Sequence, residues 1–391
     1  MILTQTKALF VDAYRQLNAK KLFWLTLGLN LLVVVLFAAL GINDKGVTIL
    51  HWQFDTAPFD TGNVSRELFY KLQFTEWGIP IWLSWATIIL ALISTAGIIP
   101  DLVSGGTIEP VLSKPIGRTR LFLTKFFTGL LFVTLQVTIF SIGCMLVIGI
   151  RAGAWEPKLL LAIPIVLAVF SYLFAFCAFV GLITRSTIAA LLLTILFWFA
   201  IWIVNVGDAM MIAQREGSIL KVEDRQIDVE RQREFAQKRL EQLEEEGKPI
   251  PSSEGLDTSD GFEPDLEAVN PTLRMSKNRL KESEAAAETW TAWASRVVLL
   301  KTLLPKTQET VGLLERNLIT QKEIATLMGM NDRQAEMMVN DETPAFADPR
   351  AAERATKVLQ SRSIPWILGT SFIYEALLLL ISCIIFVRRD F

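Results

Sequence analysis

A short polar and basic segment, residues 101–126, lies between two long apolar runs and holds the side chains best placed to transmit a movement. Gly105 and Gly106 permit backbone conformations that a side chain would forbid. Thr107 can cap a helix that follows it, and Pro110 fits near the start of a new helical turn. This order of residues predicts a short helix along a membrane surface, where something outside the membrane can push on something inside it.

Positive charge gathers where this segment meets the next apolar run. Pro115 and Gly117 break the chain again, and cations lie on both sides of them: Lys114, Arg118, Arg120 and Lys125. Such basic clusters mark the cytoplasmic side of a membrane span. We therefore expect a cytoplasmic coupling loop over residues 100–120.

The run GTIEPVLSKPIGRTRLFLTKF resembles the loop after the second span in permease subunits of the type-2 ABC transporter family. There, a pattern close to G-T-hydrophobic-E-x-x-hydrophobic-S-x-P-hydrophobic-x-R precedes a span that begins near Gly-Lys. The chain matches that pattern at Gly106, Thr107, Glu109, Leu112, Ser113, Pro115, Arg118 and Lys125. It departs from the pattern with Thr124 where Gly is usual and Asp101 where Glu is common. The alternative is an unrelated basic loop between two membrane helices.

The resemblance implies a membrane-spanning permease subunit of an ATP-driven ABC transporter, and an exporter. It implies a second permease copy, identical or different, and separate ATP-binding subunits that carry ATP and Mg. This chain would then bind no cofactor and would not be catalytic by itself, which agrees with its lack of a G-x-x-x-x-G-K-[ST] phosphate-binding loop. The residues implied in coupling to the ATP-binding subunit are Asp101, Gly105, Gly106, Thr107, Glu109, Ser113, Pro115 and Arg118.

Composition points to a membrane protein, since 52% of the 391 residues are hydrophobic, with 24 Phe and 11 Trp. A helix needs roughly 20 apolar residues to cross a bilayer. Runs of this kind cover 22–42, 78–99, 121–150, 159–184, 186–206 and 363–387. The prediction is an all-α membrane protein of six transmembrane helices, with a large, mostly helical extracytoplasmic insertion between the fifth and the sixth.

Four domains are expected. They are an N-terminal interfacial amphipathic helix (1–21), the first five spans (22–206), the insertion (207–362), and the sixth span with the C-terminus (363–391). The first of these could instead be the frayed start of the first span. Basic residues gather at the N-terminus, in the 101–125 loop, at Arg185 and at the C-terminus. Both termini are therefore expected in the cytoplasm, and the protein in the cell (inner) membrane.

The insertion alternates acidic and basic side chains and cannot enter a membrane. Long helices are predicted in it over 218–247 and 272–304. The second helix carries an apolar seam of Trp290, Trp293, Val297, Leu300 and Leu304. We expect this seam to pack on the first helix or against the outer face of the membrane. Contact with an extracytoplasmic protein is a further use of these helices.

The sixth span carries an ionisable residue, Glu375, near its middle. Charge is expensive in lipid, so such a residue is a functional hypothesis by default. Asn30, Gln136 and Asn205 are polar side chains that could partner it, although Asn205 lies nearer the outside. Glu375, Gln136 and Asn30 either line a substrate path or hold helices together by hydrogen bonds, and the residues leave both interpretations open.

Other chemistry finds little support in the chain. His51 is the only histidine, and a lone histidine is far more often a surface residue than a metal ligand. Cys144, Cys177 and Cys383 fall in apolar runs, as buried thiols rather than a disulfide framework. Segment 319–339 superficially resembles a DNA-binding helix-turn-helix, but outside the membrane it would not meet DNA. Neither a metal site, an enzyme active site nor a nucleic-acid partner is predicted.

Two functions follow from these observations. The first is the permease of an ATP-driven exporter. The second is a membrane scaffold, or a force-transmitting ABC component, whose extracytoplasmic helices bind an envelope partner. An ungated channel or an ATP-independent carrier is disfavoured because Glu375 is nearly alone as an intramembrane charge. The apolar spans are compatible with lipids, drugs, peptides or polysaccharide as cargo.

Overall fold

The computed structural model describes residues 21–55, 61, 64–104, 117–249, 264–318 and 348–389, together with the isolated residues 11, 15 and 18. Most of these residues are helical. Within them, six helices are long and apolar enough to cross a membrane, as predicted. They are Lys21–Ala39 (span 1), Arg66–Val103 (span 2), Arg118–Ala152 (span 3), Pro157–Thr184 (span 4), Thr187–Glu245 (span 5) and Pro365–Arg388 (span 6).

The α-helices in chain order are α1 (Lys21–Ala39), α2 (Arg66–Gln73), α3 (Thr87–Thr95), α4 (Ile98–Ser104), α5 (Arg118–Ala152), α6 (Ala162–Thr184), α7 (Thr187–Glu245), α8 (Pro264–Val269), α9 (Pro271–Thr302), α10 (Thr307–Leu318), α11 (Pro349–Gln360) and α12 (Thr370–Arg388). Spans 2 and 6 also contain π-helices, Phe74–Ala86 and Pro365–Gly369, and span 4 begins with the 3-10 helix Pro157–Leu161. The predicted 1–21 helix and the 319–339 segment lie almost wholly outside the described residues.

A small antiparallel sheet follows span 1, with strands β1 (Leu40–Asn43), β2 (Gly46–Ile49) and β3 (Trp52–Asp55) in that order. Two-residue turns join the strands, because Asn43 pairs with Gly46 and Ile49 with Trp52. The all-α prediction omitted this sheet. Its four-residue strands are too short to show a convincing alternation in the sequence.

Span 3 packs against spans 1, 4 and 6, and span 4 packs against both span 3 and span 6. Glycines allow two of these contacts to be close. A Cβ on Gly129 would lie 2.5 Å from Cε1 of Phe174, and one on Gly143 would lie 2.8 Å from Cγ1 of Val34. Spans 3 and 4, and spans 1 and 3, therefore meet at positions that a larger residue would push apart.

A tight turn joins spans 4 and 5, as the sequence predicted. Arg185 ends α6 in the left-handed region, with φ 55°, and its backbone N–H donates to Gly181 O at 3.0 Å. The next helix differs from the prediction. Span 5 and the charged helix expected at 218–247 form one uninterrupted helix, α7, because a change from apolar to charged composition does not by itself break a helix.

The chain forms two compact units, and each is described by itself. The first comprises the described parts of Met1–Ile203, Lys301–Met337 and Arg362–Phe391, and therefore includes α10. The second comprises those of Val204–Leu300 and Met338–Ser361. In the second unit, Val229 and Ala236 bury against Leu273. Ion pairs of 2.8 Å and 2.7 Å, Arg350 to Asp224 and Arg354 to Glu223, hold α11 on α7.

Candidate coupling site

The structure describes two of the predicted coupling residues, Asp101 at the end of span 2 and Arg118 at the start of span 3. The others lie outside the described residues: Gly105, Gly106, Thr107, Glu109, Ser113 and Pro115. We call the end of the helix bundle that holds Ser104 and Arg118 the basal end. The two described residues flank segment 105–116, so their contacts show what that segment is attached to on each side.

Arg118 connects the start of span 3 to the end of span 6. Its Nη1 donates to Val387 O at 3.0 Å and to Arg389 O at 2.9 Å. The last carbonyls of a helix have no partner within the helix. A cation placed there satisfies them and interacts favourably with the helix dipole. Arg118 is therefore a side-chain cap of α12.

Span 6 is in turn tied to span 4 at the basal end. Nη1 of Arg389 donates to Leu182 O of span 4 at 2.5 Å. A ring contact adds to the link between spans 3 and 6, because Phe122 and Phe386 pack with centroids 5.7 Å apart. Arg389 is one of the basic residues at the C-terminus that indicated topology, and its contact with Leu182 was not predicted. The basic pair after the last span was the available signal, but its acceptor is a backbone carbonyl of another helix, which no sequence pattern identifies.

Asp101 lies against spans 4 and 5. Thr187 Oγ1, at the first residue of span 5, donates to Asp101 Oδ1 at 3.4 Å. One residue earlier, Pro100 is so close to Gly181 of span 4 that a Cβ on that glycine would lie 2.9 Å from the Pro100 ring. Both ends of segment 105–116 are thus joined to other spans, span 2 to spans 4 and 5, and span 3 to span 6.

Glu375 is buried between spans 4 and 6. The Ser171 hydroxyl donates to its Oε2 at 2.8 Å. The sequence analysis did not predict this partner, and named Asn30, Gln136 and Asn205 for Glu375 instead. In the sequence, Ser171 lies in a stripe of small residues at three-four-three spacing with Ala168, Ala175 and Ala178. A serine in such a stripe faces the neighbouring helix, and that was the signal which could have identified it.

Asn30 and Gln136 belong to a second polar cluster, which joins spans 1, 2 and 3. The Gln136 amide donates to Thr26 Oγ1, and Asn30 Nδ2 donates to Thr26 O at 3.0 Å. Trp82 Nε1 then donates to Asn30 Oδ1 at 3.1 Å. The three predicted intramembrane residues therefore fall into two clusters rather than one path. The bonds between helices favour the packing interpretation for Asn30 and Gln136.

A buried ionic cluster anchors α10 to the rest of the first unit. Glu309 pairs with Lys301, and Arg362 Nη1 lies 2.8 Å from Glu309 Oε1. Lys306 is fully buried, with Nζ 5.0 Å from the centre of the Trp366 ring. Its backbone N–H donates to the Ser371 hydroxyl at 3.0 Å. Segment 301–318 is thereby fixed to the start of span 6.

Lys306 makes the stability of this cluster depend on pH. Burial lowers the pKa of Lys306 from 10.5 to about 8, and Lys301 adds to the shift while Glu309 opposes it. Between these values the unfolded chain binds the proton that the folded chain has lost, so stability rises with pH there. We expect the free energy of unfolding in detergent, relative to that of Lys306→Met, to rise between pH 8 and pH 10 by an amount on the order of 1 kcal/mol.

The control for this prediction is Lys357→Met, since the Lys357 side chain is 70% exposed. The free energy of unfolding of the native chain, taken relative to that of Lys357→Met, should show no comparable rise over the same pH range. A difference between the native chain and Lys306→Met that stays constant from pH 7 to pH 10 would contradict the prediction.

These features define a class: a helical membrane protein in which a segment at one end of the bundle is connected to several spans. Among the described residues, no group of three or more His, Cys, Asp or Glu side chains could hold a metal ion. A family model described as ABC-2 family transporter protein matches residues 19–390. The chain belongs to this family, which confirms the resemblance read from residues 106–125. Neither a curated protein nor a solved structure matches it.

Membership gives the protein its general role. It is a membrane-embedded permease component of an ABC transporter and not the ATPase itself. The family implies an ATP-binding partner subunit and usually a second permease copy.

Proposed function

We propose that this chain is the permease of an ATP-driven exporter in the cell (inner) membrane. Both termini and segment 105–116 lie in the cytoplasm, and residues 207–362 form an extracytoplasmic insertion between the fifth and sixth spans. ATP and Mg bind to the partner ATPase, which contacts this chain at segment 105–116. The basic residues at the basal end support this orientation.

The observation that carries the proposal is the set of contacts on either side of segment 105–116. Closure of the ATP-binding subunits moves the segment, and the movement reaches Arg118 on one side and Asp101 on the other. Arg118 is bonded to the end of span 6, and Asp101 to the start of span 5. One push therefore displaces several spans together and opens a path between the two permease copies.

Affinity purification of the tagged protein in mild detergent, followed by an ATPase assay, tests this function. We expect an ATP-binding subunit to co-purify and to hydrolyse ATP. Deletion of Gly105 to Glu109, with membrane insertion preserved, should uncouple hydrolysis from transport. If no ATPase is recovered, or if transport survives the deletion unchanged, the proposal fails.

A second function, a scaffold that transmits force to an envelope protein, is favoured by the surface of the second unit. The predicted seam on α9 is not buried there: Trp293 is 50% exposed and Leu300 is 52% exposed. On α7, Ile227 and Phe235 are also exposed. Large apolar side chains that form a contiguous exposed patch are typical of surfaces that bind a protein or a membrane. Under this function, Trp293→Ser with Leu300→Ser should release an extracytoplasmic protein from the purified complex while the ATPase stays bound.

A further inference from the structure

An apolar groove of about 420 Å³ runs between spans 1, 2 and 3, at the end of the bundle opposite the basal end. Its wall includes Leu36 and Phe37 of span 1, Phe74 and Ile81 of span 2, and Phe140 of span 3. Most of the lining residues are apolar. The polar groups among them are the amide of Gln73, the indoles of two tryptophans and the thiol of one cysteine. Transfer of a hydrocarbon chain from water into such a groove is favourable, because apolar surface is buried.

The groove is open to the surroundings of the spans rather than enclosed. Leu36 is 55% exposed, Ile81 is 53% exposed and Trp77 is 66% exposed, and all three line it. Spans of this composition are surrounded by lipid. The molecules that reach the groove from the side are therefore the acyl chains of the membrane.

A cation lies beside one end of this groove. Arg151, at the end of span 3, donates through Nε to Tyr70 Oη at 3.1 Å and through Nη2 to Ala38 O at 3.0 Å. A longer contact, 3.4 Å, reaches the carbonyl of Leu40, whose side chain lines the groove. The guanidinium is held in place by these neutral oxygens, and its residue is exposed.

Within the part of the chain that the structure describes, the charge of Arg151 is not offset by a carboxylate. Among the described residues, no carboxylate pairs with it, whereas Lys71 on span 2 pairs with Glu67 at 2.8 Å and Glu156 at 3.0 Å. A guanidinium presents a fork of N–H donors that fits the oxygens of a phosphate. An ordered cation at the end of an apolar groove is complementary to a molecule with a hydrocarbon chain and an anionic head.

We propose that this groove is a phospholipid site, in which one acyl chain lies between spans 1, 2 and 3 and the lipid phosphate binds Arg151. Two independent observations support this proposal: the apolar groove and the charge of Arg151, which no described carboxylate offsets. Leu40 lines the groove and also accepts the longer contact from Arg151. Neither observation depends on the direction of transport or on the ATPase. The lipid site can therefore be confirmed or refuted independently of the proposed function. A segment of a second copy, or a free phosphate ion, is the alternative occupant that the experiment must distinguish.

The test uses the full chain in bilayers that contain a trace of phospholipid with a photoactivatable diazirine on one acyl chain. Labelled peptides are mapped by mass spectrometry. We expect labelling around Leu36 and Ile81. Leu36→Trp fills the groove from an exposed position and should lower this labelling about tenfold, because several chain methylenes lose their site. Leu32→Trp is the matched control, since Leu32 is 51% exposed on the same helix but does not line the groove.

The head group is tested with Arg151→Gln and a second probe, a diacylglycerol with the same photoactivatable chain. Loss of a charge-assisted bond should lower phospholipid labelling about tenfold and leave diacylglycerol labelling unchanged. Arg151→Lys should restore part of it, and excess inorganic phosphate should not compete. Equal loss of both probes, or competition by phosphate alone, would overturn the assignment of the head group.

The groove assignment has its own overturning results. Undiminished labelling of Leu36→Trp is one, and an equal loss in Leu32→Trp is another. If Leu36→Trp does not elute as a single species in size-exclusion chromatography, Ile81→Trp replaces it. Ile81 lines the groove from span 2 and is also exposed, so a tryptophan there would fill the groove from the other side. Crosslinks to a second copy of the chain, in place of lipid adducts, would assign the groove to a dimer contact instead.

Discussion

Arg118→Ala is expected to lower the rate of transport by the reconstituted complex about tenfold while the ATP-binding subunit still co-purifies. The substitution removes both bonds from the guanidinium to the final carbonyls of span 6. Bonds from a charged donor contribute about 1.5 to 3 kcal/mol when shielded, and a loss near the lower limit corresponds to a tenfold change. Span 3 could then move without span 6.

Arg388→Ala is the matched control for this prediction. It removes one positive charge from the same end of span 6, but no hydrogen bond or ion pair links the Arg388 side chain to another described residue. Its transport rate should stay within about twofold of the native rate, since an exposed charge contributes little. Arg118→Lys keeps the charge but loses the fork of donors, and we expect an intermediate rate. Equal rates for the two alanine variants would refute a connecting role for Arg118.

The second large effect concerns stability, and it comes from Glu309 in the buried cluster at α10. Its side chain is 8% exposed and faces Lys301 and Arg362, which are 5% and 11% exposed. Removing one member of a buried ionic group leaves the remaining charges poorly compensated, at about 3 to 5 kcal/mol. For a unit of this size, that predicts a thermal midpoint in detergent lower by about 10 °C for Glu309→Ala.

An exposed ion pair provides the comparison. Glu353 pairs with Lys357 one helical turn away, and the two side chains are 39% and 70% exposed. Glu353→Ala should shift the midpoint by about 1 °C or less, because surface pairs contribute little to stability. Similar shifts in the two variants would mean that the cluster at Glu309 does not anchor α10. The expected order of effects follows from burial alone, since both substitutions remove one carboxylate.

Periodicity and composition predicted the spans well, and contacts between them poorly. The six apolar runs appear as six helices near their predicted positions because the length of a span is a local property that lipid imposes. The sheet at 40–55 was not anticipated, and α7 was predicted as two helices. In both places the outcome depends on short-range geometry that hydrophobicity does not record: two-residue turns in the first, and an unbroken backbone ladder in the second.

The site residues divide in the same way. The resemblance to type-2 ABC permeases implied Asp101 and Arg118 as coupling candidates, and an acid in an apolar run indicated Glu375. The partners of these residues were not identified. Arg118 binds backbone carbonyls of span 6, and Glu375 binds Ser171 of span 4. A backbone carbonyl has no sequence signature, and the presence of a serine does not show whether its side chain faces a carboxylate or lipid.

By itself, the sequence determined that this is a membrane protein of six helices with the coupling-loop pattern of an ABC permease. Hydrophobic run length, charge placement and a local motif are all written along the chain. Only the tertiary structure decided that Asn30 and Gln136 are separate from Glu375, that α10 belongs with the spans, and that Arg151 lies beside an apolar groove. Each of these depends on which faces of distant helices meet. That is set by close packing among many side chains, so no single stretch of sequence contains it.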